Sequence, residues 1–148
     1  MEVQEDFREF LELLNAHKVQ FIIVGGYALA FHGAPRFTSD IDIFVKPDNT
    51  NAKRIINALA EFGFSSLDLT VNDLIDQNKV IQLGLPPVRI DIITSISGVT
   101  WEEADTSKEP GLFGNVPVSY IGIKQFITNK RATGRKKDLA DIEALGEE

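Results

Sequence analysis

The sequence has no cysteine, which excludes disulfides, thiolate zinc sites and a cysteine nucleophile. Its two histidines, His17 and His32, are far from the spacing of a paired-imidazole site on a helix. Any metal ion must therefore be bound by oxygen. Positive charge is also scarce: 15 Lys and Arg stand against 22 Asp and Glu, a formal net charge of −7. Polyanion affinity rests on many phosphate contacts, so this balance argues against a broad nucleic-acid-binding face. It leaves one dense basic stretch, Lys130, Arg131, Arg135, Lys136 and Lys137. The longest apolar run, from Phe21 to Phe31, is broken by Gly25-Gly26 and is too short to span a bilayer. The acidic start, Glu2 to Asp6, is unlike the basic opening of a secretion signal. The expectation is a cytoplasmic chain that does not enter a membrane. With 43% hydrophobic residues, no Pro/Gly/Ser-rich linker and no internal repeat, residues 1–148 are expected to form a single domain.

What is present is an alternation of helical and extended patterns. Phe7, Phe10, Leu11, Leu13 and Leu14 recur at helical spacing between Glu5 and Ala16. Phe21-Ile22-Ile23-Val24 reads as a buried strand, broken by Gly25-Gly26, and Tyr27 to His32 as a short helix stopped by Gly33 and Pro35. Further strands are expected over Ile41–Val45, Val80–Leu83, Val88–Ile93 and Val116–Tyr120. Helices are expected over Ala52–Phe62, in a short piece through Asp76, for one turn at Trp101–Ala104, and over Ile123–Ala132 and Lys136–Leu145. Interleaved helices and strands, some strands joined too closely for a helical crossover, predict an α/β (α+β) domain. It has a mixed β-sheet flanked by helices, with helices at the C-terminus.

The chemistry is carried by three aspartates and two glycines. In a strand the side-chain period is two, so Asp40 and Asp42 project from one face while Ile41 and Ile43 turn to the other. Two carboxylates so close cannot both stay ionised without compensation, and a divalent cation is the usual source of it. Asp91, between Ile90 and Ile92, repeats the pattern on another strand. If the two strands pair, three carboxylates converge in a set suited to Mg²⁺ or Mn²⁺. Gly25-Gly26, after a strand and before a helix, exposes backbone N–H groups where a phosphate can approach without a Cβ in the way. Neither a Gly-Lys-Ser/Thr loop nor G-x-G-x-x-G is present, which counts against P-loop and Rossmann readings.

Val24-Gly25-Gly26, then thirteen residues, then Asp40-Ile41-Asp42-Ile43, with Asp91 in a later hydrophobic strand, resembles the signature of the DNA polymerase beta-type nucleotidyltransferase superfamily. Gly-Gly-Tyr-Ala-Leu-Ala and Arg36-Phe-Thr-Ser-Asp-Ile-Asp-Ile resemble its small bacterial and archaeal members, the minimal nucleotidyltransferases and the abortive-infection type toxins. Antibiotic adenylyltransferases are a more distant likeness. The ending from Lys130 through Arg135, Lys137 and Asp138 to Asp141-Ile resembles the C-terminal motif of the abortive-infection group. The resemblance implies a nucleotidyltransferase fold and transfer of a nucleoside monophosphate from a nucleoside triphosphate to an acceptor hydroxyl on tRNA, protein or a small molecule. It implies that Gly25 and Gly26 seat the triphosphate, that Asp40 and Asp42 bind both metal ions, and that Asp91 binds the catalytic one and helps deprotonate the acceptor. Many superfamily members have Ser where Gly26 stands. Lys130, Arg135 and Lys137 are the candidates for triphosphate or acceptor contacts. A toxin–antitoxin or phage-defence setting implies a cognate partner protein, and a homodimer is a further source of the acceptor site.

Each of these residues also has a plainer use. The aspartates of β-strand ends are often solvated, and Asp91 has Arg89 two residues away as a ready ion-pair partner. The glycines could form only a tight turn, Lys130 and Arg131 complement a helix C-terminus, and Lys136 to Asp141 form a solvated helix face. Arg36 reads as a loop charge, Thr38 and Ser39 as turn or capping residues, Tyr27 and His32 as packing residues, and Trp101 as a core or interface aromatic. The alternative at the level of the whole chain is a catalytically silent module of the same fold that binds a partner protein or RNA.

Overall fold

The computed structural model describes residues 4–34, 38–64, 69–76, 78–85 and 88–146. Helix α1, Glu5–Ala16, buries Phe7, Phe10, Leu11 and Leu14 along one stripe, as the helical spacing predicts. Strand β1, Phe21–Val24, has all four side chains buried, and α2, Gly25–Phe31, follows it with no intervening loop. Strand β2, Asp40–Val45, leads to α3, Asn49–Leu59, whose start is fixed by the Asp48 carboxylate accepting from the Asn51 N–H. A π-type turn, Ala60–Phe64, continues α3 and breaks at Gly63, where φ is +109°. The short α4, Val71–Ile75, opens on a reciprocal Thr70–Asp73 cap.

Strands β3, Val80–Leu85, and β4, Val88–Ile93, pair antiparallel. Helix α5, Trp101–Ser107, opens on a second reciprocal cap, Thr100 with Glu103. Strands β5, Glu109–Phe113, and β6, Val116–Tyr120, form another antiparallel pair, and α6, Ile123–Thr133, and α7, Lys136–Ala144, close the chain. The six strands make one sheet in the order β3-β4-β2-β1-β6-β5. Two of its pairings are parallel, β2 with β4 and β1 with β6, so the sheet is mixed as expected. One strand was not expected from the sequence, β5, which carries Pro110 and Gly111. It lies at the sheet edge, where a missing ladder donor is tolerated.

The core lies on both faces of the sheet. Phe10 packs against Phe62 and Phe7 edge-on against Tyr27, which joins α1 to the turn after α3 and to α2. Trp101 of α5 packs edge-on against Phe44 of β2. Phe44 shares its face of β2 with Asp40 and Asp42, so α5 walls the side of the sheet that carries the carboxylates.

Candidate active site

Parallel register between β2 and β4 sets Asp40 opposite Arg89, Ile41 opposite Ile90 and Asp42 opposite Asp91. Residues paired in this way share a face, so three carboxylates and one guanidinium stand together. The alternate positions Ile41, Ile43, Ile90 and Ile92 are at most 2% exposed and anchor both strands in the opposite half of the core.

The glycine pair belongs to the same corner. Gly25 has φ +67°, and a Cβ placed on it would lie 2.1 Å from Oδ2 of Asp42. Glycine at this position lets the backbone enter the left-handed region and lets the Asp42 carboxylate stand against the start of α2. At Gly26 a Cβ would come within 2.9 Å of Thr38 Oγ1, and that hydroxyl donates to the Asp40 carbonyl at 3.0 Å. Thr38 thus takes the room that a side chain at position 26 needs. The N-cap Val24 offers α2 no side-chain hydrogen bond, which suits N–H groups meant for an external acceptor.

Charge in the cluster is poorly balanced. The Asp42 carboxyl is pushed up to about 7, first by burial, then by its hydrogen bond with Asp91 and the charges of Asp91 and Asp40; Lys130 pulls the other way. Ser39 Oγ donates to Asp40 Oδ1 at 3.1 Å. Arg89 donates to Asp40 Oδ2 and, at 3.4 Å, to Asp91 Oδ2. Its Nε lies 3.3 Å from Asp91 Oδ1, yet both of those buried atoms lack a hydrogen bond. Asp91 is only 7% exposed. A buried carboxylate oxygen without a donor, beside a carboxyl whose ionisation its burial and its neighbours oppose, is a set of groups that a hard divalent cation satisfies. With Arg89 among them, no three acidic or histidine side chains among the described residues stand as a ready-made metal-binding group.

The C-terminal basic residues divide. Lys130 is 9% exposed, with its ammonium 3.4 Å from Asp138 and 3.7 Å from Asp141, and its charge acts on Asp42 from α6. Arg135 is exposed at the start of α7 and pairs with Asp138 at 2.8 Å. Asp138, fully buried, also accepts from Thr133 Oγ1 at 2.6 Å. Lys137 is exposed. Arg36 lies outside the described residues. Tyr27 packs between Phe7 and Phe113, His32 Nε2 lies 2.6 Å from the Ile121 carbonyl, and Trp101 is buried against Phe44.

The sequence offers Asp138 and Asp141 either as part of a C-terminal motif or as a solvated helix face, and neither reading gives their contact with Lys130. The signal was available, since Asp138 and Asp141 are three apart and face one side of a helix. Arg89 reads in the sequence as a plain partner of Asp91, with which a period of two makes it share a face; that it also stands opposite Asp40 comes from the register of β2 and β4.

Comparison with known proteins gives the family and the fold. The model of the family described as "Nucleotidyl transferase AbiEii toxin, Type IV TA system" matches residues 10–108. No curated protein matches the sequence. Among solved structures, a Thermotoga maritima protein described as a nucleotidyltransferase aligns with TM-score 0.63 at 15% identity, over 96% of this chain and 93% of its own. The antibiotic-resistance factor ANT(2'')-Ia aligns with TM-score 0.63 at 11% identity, over 95% of this chain and 80% of its own. The lincosamide antibiotic adenylyltransferase LnuA, with lincomycin bound, gives TM-score 0.57 at 14% identity, over 97% and 96% of the two chains. At these identities the likeness is one of fold.

Proposed function

The chain belongs to the AbiEii nucleotidyltransferase toxin family, and from that premise we propose that it transfers a nucleoside monophosphate from a nucleoside triphosphate to an acceptor hydroxyl, with Mg²⁺ or Mn²⁺ held by Asp40, Asp42 and Asp91. The observation that carries this reading is the register pair Asp42–Asp91 set against Gly25, where carboxylates, an uncapped helix start and an unsatisfied carboxylate oxygen meet. When bound, the cation supplies charge neutralisation for the entering and leaving oxygens. The chain's own residues do the rest. The N–H groups at Gly25 and Gly26 take phosphate oxygens of the donor, which the absence of a Cβ at Gly25 allows.

Asp91 accepts the proton of the acceptor hydroxyl as its oxygen forms a bond to the α-phosphorus. The α–β bridging bond breaks and pyrophosphate leaves. Lys130, clamped by Asp138 and Asp141, contributes positive charge beside Asp42 as the triphosphate arrives. Arg135 and Lys137, exposed at the start of α7, are the basic groups for the outer phosphates or the acceptor. The antibiotic adenylyltransferase among the structural neighbours supports a small-molecule acceptor as one class, with tRNA or protein hydroxyls as the others. The toxin description of the family supports a cognate antitoxin as partner.

Calorimetric titration of the four common nucleoside triphosphates with Mg²⁺ tests the reading on the wild-type chain and on an Asp40→Ala, Asp42→Ala double variant. Metal-dependent binding is expected, with a preference for one base, and is lost in the double variant. Failure of folded wild-type protein to bind any triphosphate would replace the enzyme with a partner-binding module.

A further inference from the structure

Nucleotidyl transfer, as derived above, gives Arg89 no part, yet this residue is the most intimate neighbour of the proposed metal ligands. Its guanidinium is 30% exposed and reaches across two strands, to Asp40 on β2 and Asp91 on its own β4. We propose that Arg89 is a built-in counter-cation: it occupies the carboxylate site while the divalent ion is absent, and the ion must displace it to bind. The proposal rests on the metal-dependent reading of the same site.

Three features carry it. First, the guanidinium stands between Asp40 and Asp91, the outer pair of the carboxylate set, so it fills part of the space that a shared cation needs. Second, the pairing is an imperfect fork. A structural Arg–carboxylate pair aligns two N–H groups on two oxygens. Here Nε and Asp91 Oδ1 are 3.3 Å apart and both are left without a hydrogen bond, at the desolvation cost that an unmet buried polar group carries. Third, its single charge faces three carboxylates, since the register of β2 and β4 sets Asp42 beside Asp91 as well. A divalent ion relieves that shortage and at the same time repels the guanidinium, whose partial exposure gives it a way out toward solvent. The consequence is a metal affinity weaker than the three carboxylates alone would have.

The test is titration of Mn²⁺ into nucleotide-free wild-type, Arg89→Lys and Arg89→Gln proteins, with free Mn²⁺ followed by electron paramagnetic resonance and folding checked by circular dichroism. Arg89→Gln is expected to bind Mn²⁺ about tenfold more tightly than wild type, the scale on which removal of one close competing charge acts. Arg89→Lys, which keeps the charge, is expected to stay near wild type. In EDTA, Arg89→Gln is also expected to melt below wild type and to gain more from added Mn²⁺. Equal or weaker Mn²⁺ binding by folded Arg89→Gln, with wild type binding normally, would overturn the competition alone. Absence of Mn²⁺ binding by all three proteins would overturn the metal reading and the competition together.

Discussion

Asp42 experiences several opposing influences at one atom pair. Burial comes first, then the Asp91 carboxylate opposite it, then Asp40 two residues away, and together they push its carboxyl up to about 7 against the pull of Lys130. In the unfolded chain the same group titrates near 3.9, so between about pH 4 and 7 the folded state binds more protons than the unfolded one. Stability of the metal-free protein from this site therefore falls as pH rises through that window, and the penalty is complete above it. Asp42→Asn removes the charge and keeps the shape. Urea unfolding in EDTA is expected to show the variant more stable than wild type at pH 8 by roughly 2–4 kcal/mol, the scale of a relieved shift of about three units. At about pH 3, where the carboxyl is protonated in both the folded and the unfolded chain, the two should nearly coincide, and transfer activity should be lost at every pH. A variant less stable than wild type at pH 8 would mean that the ionised carboxyl carries no such penalty in the folded protein. At this scale the sequence was informative where spacing alone decides: a period of two places Asp40 and Asp42 on one face, whatever else the chain does. It could not give the Thr38 hydroxyl against Gly26, because that contact is made across a loop whose path no periodicity describes.

At the scale of elements, the corner between α6 and α7 holds the densest buried charge outside the carboxylate cluster. Lys130 from α6 is enclosed by Asp138 and Asp141 from α7, while Thr133 and Arg135 complete the shell of Asp138. Burial raises the Asp138 carboxyl, but hydrogen bonds from Arg135 and Thr133 and the charges of Lys130 and Arg135 outweigh it and hold the group well below the ordinary carboxylate range. A depressed value gives stability that is present above about pH 4 and is lost as pH falls through the folded value. Asp138→Ala is expected to cost about 3 kcal/mol at pH 7, because it leaves the Lys130 ammonium buried beside a vacated partner. The acid limb of its stability profile should be flatter than in wild type, which thermal unfolding between pH 3 and 7 reads directly. A cost below about 0.5 kcal/mol would show that the two helices do not depend on this pair.

The elements themselves were largely legible. Where the apolar pattern was long and regular, as in α1, β1 and β4, the expected limits agree with the structure to within a residue or so. The start of α3 at Asn49 rather than Ala52 is set by a side-chain cap on Asp48, and β5 is set by pairing with β6. Both depend on partners rather than on local pattern.

For the molecule as a whole, the sheet order sets two candidate regions at opposite ends of the central strands. The carboxylates sit in the N-terminal half of β2 and where β4 pairs with it, while a cleft of about 750 Å³ lies past the C-terminal ends of the same two strands. Lys46, Lys79, Thr94 and Trp101 line that cleft, and Thr94 is fully occupied by the backbone of residues 76 and 79. Its size makes it an attractive place to put a nucleotide, but nothing lining it resembles the paired carboxylates and glycine corner at the other end. Native-state hydrogen exchange separates the two. Without ligand, amides of β1 and β2, in the middle of the sheet, should exchange most slowly, and those of the edges β3 and β5 fastest. With Mn²⁺ and the preferred triphosphate, added protection is expected at Gly25–Gly26, Asp40–Asp42 and Arg89–Asp91, and around Lys130 on α6. Amides at 94–100 should be unchanged. Protection that instead gathered at 79 and 94–100 would move the nucleotide to the far cleft, and the carboxylate cluster would then need another explanation for its crowding.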